Sequence, residues 1–112
     1  MSRDKPEPGL ELDKLIAEKV LGWFQDSMAK SPRDLWFETG EEEGSLYLNH
    51  YSTDIKAAWN LAERFRLCVV PWHDGKWTAV KEGEILIDGD WNSAKTAPHA
   101  ICLAALSIVE GE

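Results

Sequence analysis

The chain reads as an α+β domain in the order α-β-β-α-β-β-β-α, with an antiparallel sheet between helix layers. Three observations carry that reading. Apolar residues recur at helical spacing in three separate stretches, and the last stretch is apolar almost all round. Short alternating or wholly apolar runs lie between them, joined by turns tight enough for antiparallel pairing. The chain has 112 residues, 44% of them apolar and six of them tryptophan, which suffices for one domain with its own core.

Pro6, Pro8 and Gly9 among mixed charges make residues 1–9 a flexible leader, and residues 10–112 form a single domain. A helix is expected over residues 11–23. Leu12, Leu15, Ile16, Val20 and Trp23 make one stripe, Asp13 suits the positive end of its dipole, and Gly22 marks where it ends. Residues 25–33 are polar, with Ser31-Pro32 as a turn signal, and read as a loop. Residues 34–39 make a first strand, and the acidic run Glu41-Glu42-Glu43-Gly44 a solvated turn. Residues 45–49 alternate polar and apolar as a half-buried second strand does.

The clearest unit runs from His50 to Arg66. It is a polar turn, an N-cap at Ser52 or Thr53, and an amphipathic helix with Asp54 in its first turn. Ile55, Ala58, Trp59, Ala62 and Phe65 form its expected buried stripe. Residues 67–72 are the most apolar strand, with Pro71 at its end or at a sheet edge. Asp74-Gly75 turns the chain into a strand at residues 77–80, and Glu82-Gly83 turns it again into a last short strand at 85–87. The closing helix starts near Thr96 with Pro98 in its first turn. Its two apolar faces mean deep burial or half of an oligomer contact.

Three blocks resemble the phage ABA-sandwich domain family of small phage and prophage proteins. Leu12-Asp13-Lys14-Leu15-Ile16-Ala17-Glu18-Lys19-Val20-Leu21-Gly22-Trp23 looks like its opening "VAEKVMGW" helix. Tyr51-Ser52-Thr53-Asp54-Ile55 through Ala57-Ala58-Trp59 looks like its "PSTDIxxAW" segment, with Tyr51 in place of the proline. Residues 96–106 look like its closing "TAPLAICRAAL" helix, with His99 and Leu103 where Leu and Arg are usual. The resemblance implies an α/β/α sandwich and a phage or prophage setting. It brings no catalytic residues to carry over.

The turn His50-Tyr51-Ser52-Thr53 is the one candidate ligand site. It precedes a helix N-terminus, where free N–H groups favour an anion, and Tyr51 offers a ring to a base. Plain capping is the competing reading, and no glycine-rich phosphate loop supports the sharper one. Ser52 with His50 or His99 and Asp54 can be drawn as a triad, but no GxSxG pattern surrounds any serine. The histidines form no HxxxH or HExxH pair, and Cys68 and Cys102 form no CxxC, so no metal or other cofactor is expected. Both cysteines sit in apolar runs and are expected to be buried and free.

From Thr53 onward the order α-β-β-β-α matches the double-stranded-RNA-binding fold. Such domains grip phosphates with lysines at the start of the last helix, where this chain has Lys95 alone. With a net charge of −8, nucleic-acid binding is not expected. No apolar run approaches the ~20 residues of a membrane span, and no signal-peptide core follows the first residues, so a cytoplasmic protein without membrane contact is expected. Trp36 and Phe37 are neighbours on a strand and point to opposite faces, so both faces of the sheet carry an aromatic ring. These features point to a non-catalytic protein that binds a protein partner or itself. A small anionic, nucleotide-type ligand is the alternative, and an enzyme comes third.

Overall fold

The computed structural model describes residues 5–38, 45–84 and 91–110. The acidic turn at residues 41–44 and the strand expected at 85–87 lie outside them. The chain runs through α1 (Leu10–Leu15), prolonged as a π-helical turn over Ile16–Val20, then β1 (Trp23–Gln25) and β2 (Trp36–Glu38). It continues through α2 (Ile55–Phe65), β3 (Leu67–Pro71), β4 (Trp77–Lys81), β5 (Ser93–Ala94) and α3 (Ala97–Glu110). This is an α+β fold in the expected order α-β-β-α-β-β-β-α, but some strands are made by other residues. β1 and β2 form one antiparallel pair, and β3-β4-β5 a separate antiparallel sheet.

The first helix is shorter than its apolar stripe. The Leu21 N–H donates back to the Ile16 carbonyl at 3.0 Å, a five-residue step that widens the last turn. Gly22 then takes φ 75°, a left-handed conformation glycine adopts without strain, and the helix stops. Trp23 therefore begins β1 and is not the end of the helix. Of the second strand expected at residues 45–49, only Leu46 pairs, in a bridge to Trp36. Its alternation is real nonetheless: Leu48 is fully buried and Tyr47 exposed.

α3 is the centre of the core. It touches α2, the π-helical turn of α1 and all three strands of the larger sheet. Every residue from Ala100 to Leu106 is buried, so its all-round apolar character is explained by burial. Full burial of a side chain such as Leu103 contributes about 1.5–3 kcal/mol. Thr96 starts the helix as expected, its hydroxyl accepting the His99 N–H at 3.3 Å.

α2 packs on α3 with a different face from the one its large residues suggest. Ala57, Ala58, Leu61 and Ala62 are buried, whereas Ile55 and Trp59 are each 49% exposed. Alanines on both helices let the axes approach closely, and the bulky residues fall to the rim. The cap differs too. Asp54 accepts the Lys56 N–H at 3.0 Å, while Ser52 and Thr53 precede the cap.

The cysteines also part company. Cys102 is buried in α3, and burial pushes its thiol strongly up from the ordinary value. Cys68, expected to be buried, is exposed, because β3 is the outer strand of its sheet and this residue points away from the core. A thiol reagent near neutral pH is therefore expected to label one cysteine in the folded protein and two in denaturant. Two labels at equal rates under native conditions would contradict the burial of Cys102.

Candidate binding surfaces

The turn at residues 50–53 is built around a buried carboxylate. Asp13 of α1 is fully buried although it is charged. Its Oδ1 accepts the Ser52 N–H at 2.8 Å and the Ser52 hydroxyl at 2.8 Å. Its Oδ2 meets the Arg33 guanidinium at 2.8 Å. Arg33 also donates to the Leu48 carbonyl at 3.1 Å and the Asn49 carbonyl at 3.3 Å. The Ser52 hydroxyl accepts the Gly9 N–H at 2.8 Å, tying the segment before α1 into the same knot. A buried charge needs such pairing to be tolerated.

The four residues of the sequence-derived site are thus together in space but differ in role. Ser52 is fully buried and its polar atoms meet Asp13 and Gly9. Tyr51 is 4% exposed, and burial raises its phenol above the ordinary value while a hydrogen bond from Asn49 at 3.3 Å pulls it down. His50 and Thr53 are exposed. The N–H groups of Thr53 and Asp54 both donate to the His50 carbonyl, at 3.2 and 2.8 Å, and that of Lys56 to the Asp54 cap. Most donors that an anion would use there are already engaged. The serine, aspartate and histidines that can be drawn as a triad are not joined either. His99 Nε2 lies 2.8 Å from the Pro6 carbonyl oxygen, and the hydroxyl of Ser52 has no histidine partner.

Among the described residues, two apolar surfaces are left uncovered. The first is the outer face of the β1–β2 pair. Phe24 and Phe37 are register partners and stack with ring centroids 5.8 Å apart. Side chains alternate across a strand, so this pair lies opposite the fully buried Trp36. Phe24 is 52% exposed. Met28, Leu35, Leu46 and Tyr47 line a shallow hollow of about 440 Å³, and Met28 is 77% and Tyr47 53% exposed.

The second surface is a groove of about 560 Å³ between α2 and the larger sheet. Ile55 and Trp59 form one wall, Val69 and Trp77 the other, and Lys95 to Pro98 close one end. It exists because α2 turns its alanines inward, which leaves the sheet beside Trp59 uncovered. Sequence periodicity places Ile55 and Trp59 in the core and so misses the groove. Among the described residues, no three His, Cys, Asp or Glu side chains converge as metal ligands, and no helix is long and apolar enough to cross a membrane.

The fold has a counterpart of known structure. A crystal structure of a phage protein from Bacillus cereus ATCC 14579 superposes with a TM-score of 0.61, covering 95% of each chain at 24% identity. No curated protein matches the sequence. The phage ABA sandwich domain model matches residues 14–106, a span that includes the Trp23–Gln25 strand, the Ser52 turn, the α2 groove and most of α3. The chain therefore belongs to the phage ABA sandwich domain family.

Proposed function

We propose that the protein is a non-catalytic phage accessory factor that acts by binding a protein partner or a second copy of itself. The observation that carries this reading is the outer face of the β1–β2 pair, with its stacked Phe24 and Phe37, together with the exposure of Met28 and Tyr47. Large apolar groups exposed to water are costly, and on folded proteins such faces serve as contact sites. Aromatic rings are also enriched among the residues that dominate contact energies. The non-catalytic part rests on the sealed state of Ser52, the one serine among the described residues with a buried carboxylate beside it.

Phe24→Asp with Met28→Ser tests this directly. Both side chains are more than half exposed, so the variant keeps the fold. Tagged wild-type protein from bacterial cells is expected to carry a stoichiometric partner or to run as a homo-oligomer. The double variant should weaken that association by about 30-fold or more, the effect of losing a contact worth ~2 kcal/mol. A bare wild-type monomer, or a variant that associates as the wild type does, would remove the basis for the proposal.

A further inference from the structure

On a chain of net charge −8, three lysines and a histidine gather in one place. Lys5, Lys76, Lys95 and His99 line a pocket of about 520 Å³ with Pro8, Ser93 and Thr96, and Glu7 is its acidic member. They come from four places: the segment before α1, the β3–β4 turn, the residue after β5, and the first turn of α3. Two contacts hold the first of these segments in place as a wall. Lys5 Nζ donates to the Ser93 carbonyl at 3.0 Å, and His99 Nε2 lies 2.8 Å from the Pro6 carbonyl oxygen. Lys76 and Lys95 are exposed and make no ion pair among the described residues. The end of α3 adds few donors, since Pro98 has no N–H and that of His99 goes to Thr96. Positive charge in this pocket comes from the lysines.

The pocket does not stand alone. Lys95 and Thr96 also close the aromatic groove of Ile55, Trp59, Val69 and Trp77. A cationic hollow and an aromatic one therefore share a wall, and each has the volume of a small-molecule site. We propose that the two together bind a small molecule carrying both a phosphate and a flat ring, a ligand of the nucleoside monophosphate type. The phosphate lies among Lys5, Lys76 and Lys95, for which lysine acts as a point-charge partner. The ring lies in the groove against Trp59 and Trp77, where a base meets aromatic faces whatever its identity. A nucleic-acid strand is disfavoured, because its repeated phosphates would meet the acidic remainder of the chain. This site is separate from the partner face on β1–β2.

Calorimetric titration of the full chain with AMP, GMP, CMP and UMP, and with inorganic phosphate alone, tests the assignment. At least one nucleotide is expected to bind with micromolar Kd, ten-fold or more tighter than inorganic phosphate. The Lys76→Ala/Lys95→Ala variant and Trp59→Ala should each weaken it ten-fold or more, with the circular dichroism unchanged. Thr53→Ala and Phe24→Asp should leave it as it is, so that this result and partner capture succeed or fail separately. Absence of binding by all four nucleotides at millimolar concentration overturns the proposal. So does binding that survives in the lysine variant, or a loss confined to Thr53→Ala, which would put the ligand at the turn.

Discussion

Asp13→Ala is expected to destabilise the fold by about 3–5 kcal/mol, the range for removing one partner of a buried ion pair. The substitution leaves the Arg33 guanidinium, 14% exposed, without its carboxylate. It also leaves the buried Ser52 N–H without an acceptor. Domains of this size are stable by only about 5–15 kcal/mol, so the loss is a large share of the total. Urea unfolding measures it. Asp13→Asn should cost less, since its amide oxygen still accepts from Ser52 while the charge opposite Arg33 is gone. Removing Asp13 and Arg33 together should cost less than the sum of the single losses, because neither charge is then stranded. A loss under about 1 kcal/mol in Asp13→Ala would mean that the knot is not structural.

Trp36→Ala is expected to cost a similar amount, about 3–5 kcal/mol, by a different route. Trp36 is fully buried as the first residue of β2, paired with Gln25 on one side and Leu46 on the other. Its indole N–H donates to the Pro32 carbonyl at 2.9 Å, which holds the loop before the strand. Truncation opens a cavity under the face that carries Phe24 and Phe37, and so should loosen that face as well as the core. Trp36→Phe keeps most of the volume but loses the donor, and should cost about 1–3 kcal/mol. Pro32 and Arg33 are neighbours, so the Trp36 and Asp13 variants act on one loop and are expected to couple. Equal urea midpoints for wild type and Trp36→Ala would contradict this.

How far the sequence reveals such a structure depends on what each element packs against. α3 is legible because burial on all sides leaves no polar face to misread. The strand at Leu67–Pro71 and its return at Trp77–Lys81 are legible from the apolar run and the Asp-Gly turn between them. α2 is legible as a helix but not in its rotation. Periodicity weights Ile55 and Trp59 above alanine, whereas close packing against another alanine-rich helix favours the small residues. Asp13 reads as a residue for the helix dipole, yet it stands three, four and seven residues before Ile16, Ala17 and Val20, all buried. That spacing places a carboxylate on the inner face and was the available signal for a buried partner. Ser52 reads as a cap because caps are local, and its real partner is 39 residues away. The lysine pocket has no sequence signature, since Lys5, Lys76 and Lys95 meet only through the fold.

The proposed function requires the apolar face of the β1–β2 pair to meet a protein surface. Its most direct measurement places the photo-crosslinker p-benzoyl-phenylalanine at position 24 in living bacterial cells, with position 18, on the exposed side of the first helix, as control. A discrete adduct at position 24, of a partner or of a second copy, and none at position 18 is the expected result. No adduct at position 24, or the same diffuse adducts at both positions, would contradict it.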